Sequence, residues 1–540
     1  MGHIKGTSRE QIMMLSFEDF VSEESMARVI DKFIEISDFE KLGFARFEPA
    51  ATGRPPYPPK ALAKLYVYGY ENGIRSSRKL EKETQRNVEV MWLVNGLRPD
   101  YKTISEFRRE NIRPLQKLFR EFVCLCKSWE LIDGKLIAVD GTKIKASNNK
   151  KTNYSRKKLV SRLSRLDEQI QEYLDEAEKA DKSENPETNQ GAKTLAELLD
   201  RRDKYEAYLE HLENNGENEI SVVDPDARLM GNSRGGVEMA YNVQSAVDGK
   251  NSIIMEYEVS LNPSDQHQLS RMVKKVKRSL KLKRFHALAD KGYYNGEDLL
   301  KLKKLKVKAI VSRQKPSDPK ELPAEFRSEK FIYDKNTDTY SCPAGNKLQG
   351  HSKRDAKRRN YFNKAACASC GHMEKCTTGK SKYRTVTRNQ YSQIYEEADK
   401  LFAENIELYK RRQQIVEHPF GTIKNTMHGG QFLLRTRRKA CAEIALLFLG
   451  YNLKRAVNIL GFKAIMAKLN SLLHNIFRIM EIIRLKTLFA SRLYGLHLGV
   501  LQQSAAPLTV TSGKVRLMLE GEAGFGRINK PKYCWCFPGL

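Results

Sequence analysis

Apolar runs long enough to cross a bilayer are missing from this chain. The longest lies around Ala440 to Leu453 and is broken by Glu443. That falls short of the roughly 20 apolar residues a spanning helix needs. Later apolar segments carry Arg478, Glu481, Arg484 and Lys486, which suits an amphipathic or buried helix. The opening MGHIKGTSREQIMML has no apolar core of signal-peptide length, so a cytoplasmic protein without a membrane partner is expected. Cysteine is scarce too. Nine in 540 residues are expected to be thiols or metal ligands, not a disulfide framework. Acid residues are in deficit, with 66 Asp and Glu against 95 Lys and Arg and a net charge of +29. Such an excess calls for a polyanionic partner. Nucleic acid is the usual one, because Lys and Arg neutralise phosphates and release counterions.

Residues 1–130 read as a helical domain. Apolar residues recur at helical spacing in MARVIDKFIEI and in PLQKLFREFVCLC. ATGRPPYPPKAL ends one helix and opens the next. IRSSRKLEKETQ is a Ser-capped basic helix, and KTISEFRREN starts another behind Thr103. The expected role is DNA-end binding; a helical cap with solvated charges is equally open. The pattern then changes. Leu136 to Asp140, within KLIAVDGTKIKA, reads as a short buried strand ending in a carboxylate. In the insertion 151–220, Leu159, Leu163, Leu166, Ile170, Tyr173 and Ala177 follow a heptad. So do Leu195, Leu198, Arg202, Tyr205, Leu209 and Leu212. An antiparallel helical hairpin is expected, a spacer arm in preference to a dimerising or DNA-clamping one.

Strand signals return in MAYNVQSAVD, which turns at Asp248-Gly249 and continues in NSIIMEYEVS. A helix (DQHQLSRMVKKVKRSL), a strand ending in Asp290 (FHALAD), a helix and a strand (VKAIVS) follow. This order predicts an α/β core with a mixed sheet over 131–460. A second insertion, 315–400, is Cys-rich and basic, with twelve Lys or Arg and two acids from Lys347 to Arg388. Residues 461–540 are C-terminal helices and an unassigned tail.

Three acids stand out by context. Asp140 and Asp290 end apolar strands, and Glu417 lies in a helix, RRQQIVEHPFGTIK. A carboxylate at a buried strand end is costly unless solvated, paired or bound to metal. Three of them together suit two hard cations such as Mg²⁺, which would clamp the attacking and leaving oxygens of a phosphodiester. The bland alternative for each is a helix cap. Cys342, Cys367, Cys370 and Cys376 are spaced C-x24-C-x2-C-x5-C, with a Cys-Pro knuckle, which suits one tetrahedral structural Zn²⁺; four reduced thiols are the alternative. Cys124, Cys126 and Cys441 sit in apolar helical context and are expected in the core. Cys534 and Cys536 are unassigned, and His418 and His428 are expected to be structural.

The motifs GRPPYPP, GIRSSRKLE, TISEFRREN, AVDGTKIKA, DPDAR, YNVQSAVD, ALADKGYY, the Cys-Pro-x-Gly with CxxC, and VEHPFGTIK extend from about residue 10 to 460. In them the chain resembles bacterial insertion-sequence DDE transposases of the IS-four-like superfamily, most closely the type numbered eleven eighty-two. The resemblance implies an RNase H-like core with Asp140, Asp290 and Glu417 as catalytic metal ligands. It implies two Mg²⁺ ions, for which Mn²⁺ can substitute. It implies DNA contacts from Tyr409, Arg412, Lys424 and Lys291. Arg412 lies one residue farther from the Glu than the family's Tyr-Arg-Glu-Lys signature asks, which leaves Arg411 open. The implied partners are double-stranded DNA, as terminal inverted repeats and target, and a homodimer or larger synaptic assembly in the nucleoid. The rival is a catalytically inactive, transposase-derived DNA-binding protein.

Overall fold

The computed structural model describes residues 16–48, 55–149, 152–181, 189–231, 235–313, 322–352, 358–377, 382–475 and 478. Residues 1–462 form one compact unit and 463–540 a second. The expectations for the tail, with Cys534 and Cys536, lie outside the described residues.

Among the described residues the N-terminal segment has seven α-helices: α1 (Met26–Ile36), α2 (Phe39–Leu42), α3 (Pro59–Glu71), α4 (Ser77–Arg86), α5 (Val88–Leu93), α6 (Tyr101–Glu110) and α7 (Ile112–Ser128). The apolar stripe of α1 is buried through Val29, Ile30, Phe33 and Ile34. Pro59 opens α3, where its missing N–H costs nothing. Two capping expectations are corrected. Ser76 occupies the N-cap of α4 without a side-chain cap bond. The cap of α6 is Asp100, whose Oδ1 accepts from Thr103 N–H at 2.6 Å; Thr103 lies inside the helix, because an ionised carboxylate serves the first-turn N–H groups better than a hydroxyl. Cys126 is buried and Cys441 half-buried, but Cys124 is exposed, on the outer side of α7.

The core sheet begins with β1 (Leu136–Lys145). β2 (Asn153–Ser155) and β3 (Glu219–Ser221) pair to close the base of the hairpin α8 (Arg156–Asp181) and α9 (Asn189–Asn215). The heptad seam is the buried one: Leu159, Leu166 and Leu212 are covered, and Arg202 forms an ion pair with Asp167 across the hairpin, 3.1 Å apart. There follow β4 (Arg228–Gly231), β5 (Val237–Asp248), β6 (Ile254–Ser260), α10 (Leu269–Leu280), β7 (His286–Ala289), α11 (Gly296–Lys304) and β8 (Lys308–Val311). β1 pairs antiparallel with β5 and parallel with β7; β8 extends the parallel side, and β4 and β6 both pair with β5. This mixed sheet fits the RNase H-like core that the resemblance implies. β1 is longer than expected. It runs five residues past Asp140 because Thr142 to Lys145 keep pairing with β5.

The Cys-rich insertion is a second sheet, a five-stranded antiparallel meander: β9 (Ile332–Asp334), β10 (Thr339–Ser341), β11 (Lys347–Ser352), β12 (Arg358–Phe362) and β13 (Val386–Asn389), with α12 (Lys364–Ala368) and α13 (Met373–Cys376). α14 (Ser392–Glu404), α15 (Ile406–Gly421) and α16 (Arg437–Leu460) complete the first unit. α16 carries the longest apolar stretch and packs on α3, α7 and β6. Its Phe448 meets Phe119 and Tyr257 at ring distances of 6.4 and 5.5 Å. The DPDAR motif starts this helix, since Asp224 accepts from Thr436 N–H and Asp226 from Arg437 N–H. Among the described residues, no single helix is long and apolar enough to cross a membrane.

One buried acid gives a stability prediction. Glu121, on α7, has a carboxylate oxygen that is covered and without a hydrogen-bond partner, and burial pushes its pKa up to about 7. A folded value above the unfolded one means the folded state holds the proton more tightly. Stability from this group is therefore full below pH ~4.5 and lost as pH rises to ~7. Glu121→Gln is expected to stabilise the fold by on the order of 2 kcal/mol at pH 8 and hardly at all at pH 4, read as urea midpoints. An equal effect at both pH values would rule out the charged carboxylate as the cause.

Candidate active site

Asp140 lies on β1, where it faces Ser245 of β5 in the register. Apolar neighbours Ile137, Ala138 and Val139 are fully buried and fix the strand in the middle of the sheet. Asp290 follows β7, the parallel neighbour of β1, so both acids lie beside one another past the end of the parallel pairing. Each has a local donor: Gly141 N–H donates to Asp140 Oδ1 at 2.9 Å, and Gly292 N–H donates to Asp290 Oδ1 at 2.8 Å. Asp290 thus also caps a single 3-10 turn, Lys291–Tyr293. Burial pushes the Asp140 pKa up to about 6. Arg412 and the Gly141 N–H oppose the rise, and the charges of Asp290 and Asp265 add to it.

Asp265 is the residue that sequence reading missed. Its Oδ1 accepts from Asn242 Nδ2 at 2.8 Å and Gln244 Nε2 at 2.7 Å, and Lys143 Nζ stands 3.6 Å away. The buried Tyr293 hydroxyl donates to Gln244 Oε1 at 2.5 Å. The network explains the buried Asn242 and Gln244 of YNVQSAVD and the first Tyr of ALADKGYY. It also explains the Gly of AVDGTKIKA. A Cβ on Gly141 would stand 2.3 Å from Gln244 Nε2 and 2.6 Å from Asp265 Oδ1, so any larger residue would push these side chains out of the network. The one available signal was the Ser264-Asp265 pair ahead of α10, a capping pattern that reads as structural.

The basic residues come from α15 and the π-helical turn after it, Thr422–Thr426. α15 lies against β1. Arg412 Nη1 stands 3.8 Å from Asp140 Oδ2, and its guanidinium lies 5.8 Å from the Tyr409 ring. Arg411 instead donates to the Gly249 carbonyl, so Arg412 is the one beside the aspartate. Lys424 Nζ donates to Thr142 Oγ1 at 2.5 Å. Burial lowers its pKa against the pull of Asp140. Lys291 opens the turn beyond Asp290 and is exposed. Tyr409 packs edge-on against Phe402.

Glu417 differs from expectation. It is exposed on α15, and Gln413 Nε2 donates to its Oε1 at 2.8 Å. Among the described residues, no three His, Cys, Asp or Glu side chains are placed to hold a metal ion. Asp140, Asp290 and Asp265 converge, whereas Glu417 is turned to its own helix, where Gln413 satisfies it.

Residues 217–453 match the family model described as "Transposase DDE domain". The chain carries a transposase DDE domain. The match begins after the helical hairpin, so Asp290 and Glu417 fall within it and Asp140 precedes it. β1 is joined to the DDE domain by its pairing with β5 from Ile137 to Lys145. Residues 15–110 match a second model, "Transposase domain (DUF772)", which covers α1 to α6. A solved structure, the piggyBac transposase synaptic complex with hairpin DNA, aligns at 10% identity over 82% of this chain and 77% of that one, with a TM-score of 0.26. No curated protein matches.

The four cysteines outside the DDE strands line one cavity of about 20 Å³ with Phe326, His372 and Arg384. That is room for about one water-sized atom. Cys342 sits in a tight turn in which Asn346 N–H points at its Sγ from 3.3 Å. Burial raises the Cys376 thiol pKa, and the thiols of Cys367, Cys342 and Cys370 add to the rise. The four come to one place, but not in a ligating arrangement.

Proposed function

We propose that the chain is a DNA transposase that cuts at the ends of its element and joins them to target DNA by phosphoryl transfer. The observation that carries this is the convergence of Asp140 and Asp290 on adjacent parallel strands, with Arg412 beside them. Hard oxygen donors of this kind fit a divalent cation. Asp140 and Asp290 would hold Mg²⁺, or Mn²⁺ in its place, joined by Glu417 once its side chain turns from Gln413, and the bound metal would supply activation of the attacking oxygen and stabilisation of the leaving one. Arg412 and Lys424 would grip the phosphate beside the scissile bond, with Tyr409 and Lys291 alongside. The Asn242–Gln244–Asp265–Tyr293 network holds β1 and the Asp290 turn in register. Double-stranded DNA is the partner, and synapsis of two ends requires two or more copies of the chain.

The test is cleavage of a fragment carrying the flanked ends of the element. Wild type with Mg²⁺ is expected to cut at the boundary; wild type in EDTA and Glu417→Ala are not. DNA binding without cleavage by wild type would leave only a DNA-binding role. For the cysteine cavity the proposal is one structural Zn²⁺, supported by the shared cavity and the N–H aimed at Cys342. Metal analysis of the purified protein is expected to give one zinc per chain, lost in Cys367→Ser with Cys370→Ser. Zinc-free wild type, prepared without chelator, would show four thiols.

A further inference from the structure

The meander of the Cys-rich insertion has two unlike faces. Alternate side chains of a strand point opposite ways. Tyr340, Leu348, Tyr361 and Val386 pack inward with Phe331. By the same alternation and the pairing register, Ile332, Lys347, Gln349, His351, Arg358 and Phe362 share the outer face. Ile332 is 72% exposed, and His351 is exposed as well. The His351 ring lies flat on Phe362, with centroids 3.9 Å apart and planes 16° from parallel. The Tyr383 ring stands 5.1 Å from Phe362, and Lys364 Nζ lies 5.7 Å from the Phe362 centroid and 5.1 Å from that of Tyr383. Among the described strand residues, the carboxylate on this face is Asp334, which sits on the edge strand β9 and accepts from the Thr337 hydroxyl and Asn336 N–H.

Stacked rings on an exposed sheet, with cations beside them, match one chemistry. Unpaired bases offer flat faces for stacking, and their backbone offers phosphates to the cations. A duplex hides its base faces, so the rings have no use for it. We propose that this face binds single-stranded DNA, with bases stacking on the exposed His351 ring, which Phe362 backs, and phosphates meeting Lys347, Arg358 and Lys364. It rests on the transposase reading only in taking DNA as the polymer, and it deepens that reading: strands that have been opened would be held on the insertion while the acids act elsewhere.

The test uses the full chain, with fluorescein-labelled oligothymidylate and a duplex of equal length, read by anisotropy at one salt concentration. Phe362→Leu combined with His351→Ala is expected to weaken oligothymidylate binding roughly tenfold while duplex affinity moves by less than about twofold. His351→Ala alone alters only an exposed outer position. It is expected to give part of the loss, so misfolding of the double variant does not decide the matter. Unchanged oligothymidylate binding would overturn the proposal, as would equal losses on strand and duplex, wild type that binds duplex alone, or tighter binding of the matching RNA. Wild type that fails to cut element ends but keeps the ring-dependent loss would sink the transposase reading and leave this one standing.

Discussion

Asp140→Asn is expected to lower metal-dependent cleavage at the element ends by roughly 10³-fold or more, the scale on which losing one member of a catalytic unit acts. Duplex binding by gel shift is expected to stay near wild type. The substitution keeps shape and an oxygen that can accept from the Gly141 N–H, so the strand loses nothing it needs to fold. It removes the negative charge that Arg412 and the neighbouring Lys424 turn toward. Burial pushes the Asp140 pKa up to about 6. A deficit under tenfold would mean that Asp140 is not a metal ligand. Asp265→Asn provides the contrast. The amide can still accept from Asn242 and Gln244 but loses its charge toward Lys143. A positioning role predicts a smaller loss than at Asp140.

Arg75→Ala is expected to destabilise the chain by about 3–5 kcal/mol, the cost of stranding a buried charge. Arg75, between α3 and α4, is 7% exposed and bonds Glu443 of α16 at 3.0 Å; Glu443 is fully buried. The arginine also donates to the Gln431 carbonyl, and Glu443 accepts from the N–H groups of Leu433 and Leu434. One ion pair thus ties the N-terminal helices, the loop after the Glu417 helix, and α16. Burial raises the Glu443 pKa while Arg75 and Arg108 oppose it. Without Arg75 the proton is held more tightly. The deficit is therefore largest at high pH and shrinks as pH falls toward the raised value. Urea midpoints at pH 8 and pH 5 check this. A deficit that is the same at both would place the loss in packing rather than in the stranded carboxylate.

The apolar run of Leu136 to Val139 and the heptads of the hairpin were legible because each depends on side chains close in the chain. Asp140, Asp290 and Glu417 were legible as candidates because strand ends and a helical motif mark them. The five-stranded meander was not. Its strands are three to six residues long, too short for a period of two to stand out among so many Lys and Arg. Glu443 could be seen only as a flaw in an apolar helix.

The sequence by itself determined the element types, the transposase resemblance, the basic partner-seeking surface, and which acids to watch. Local propensity and spacing are enough for those. Tertiary structure alone decided that Asp265 joins Asp140 and Asp290, that Arg412 rather than Arg411 faces them, and that Glu417 turns to Gln413. It also decided that Lys424 meets Thr142 across 282 residues and that Arg75 meets Glu443 across 368. Such contacts form only once the sheet and helices have paid the entropy of bringing remote segments together, so no local pattern in the chain announces them.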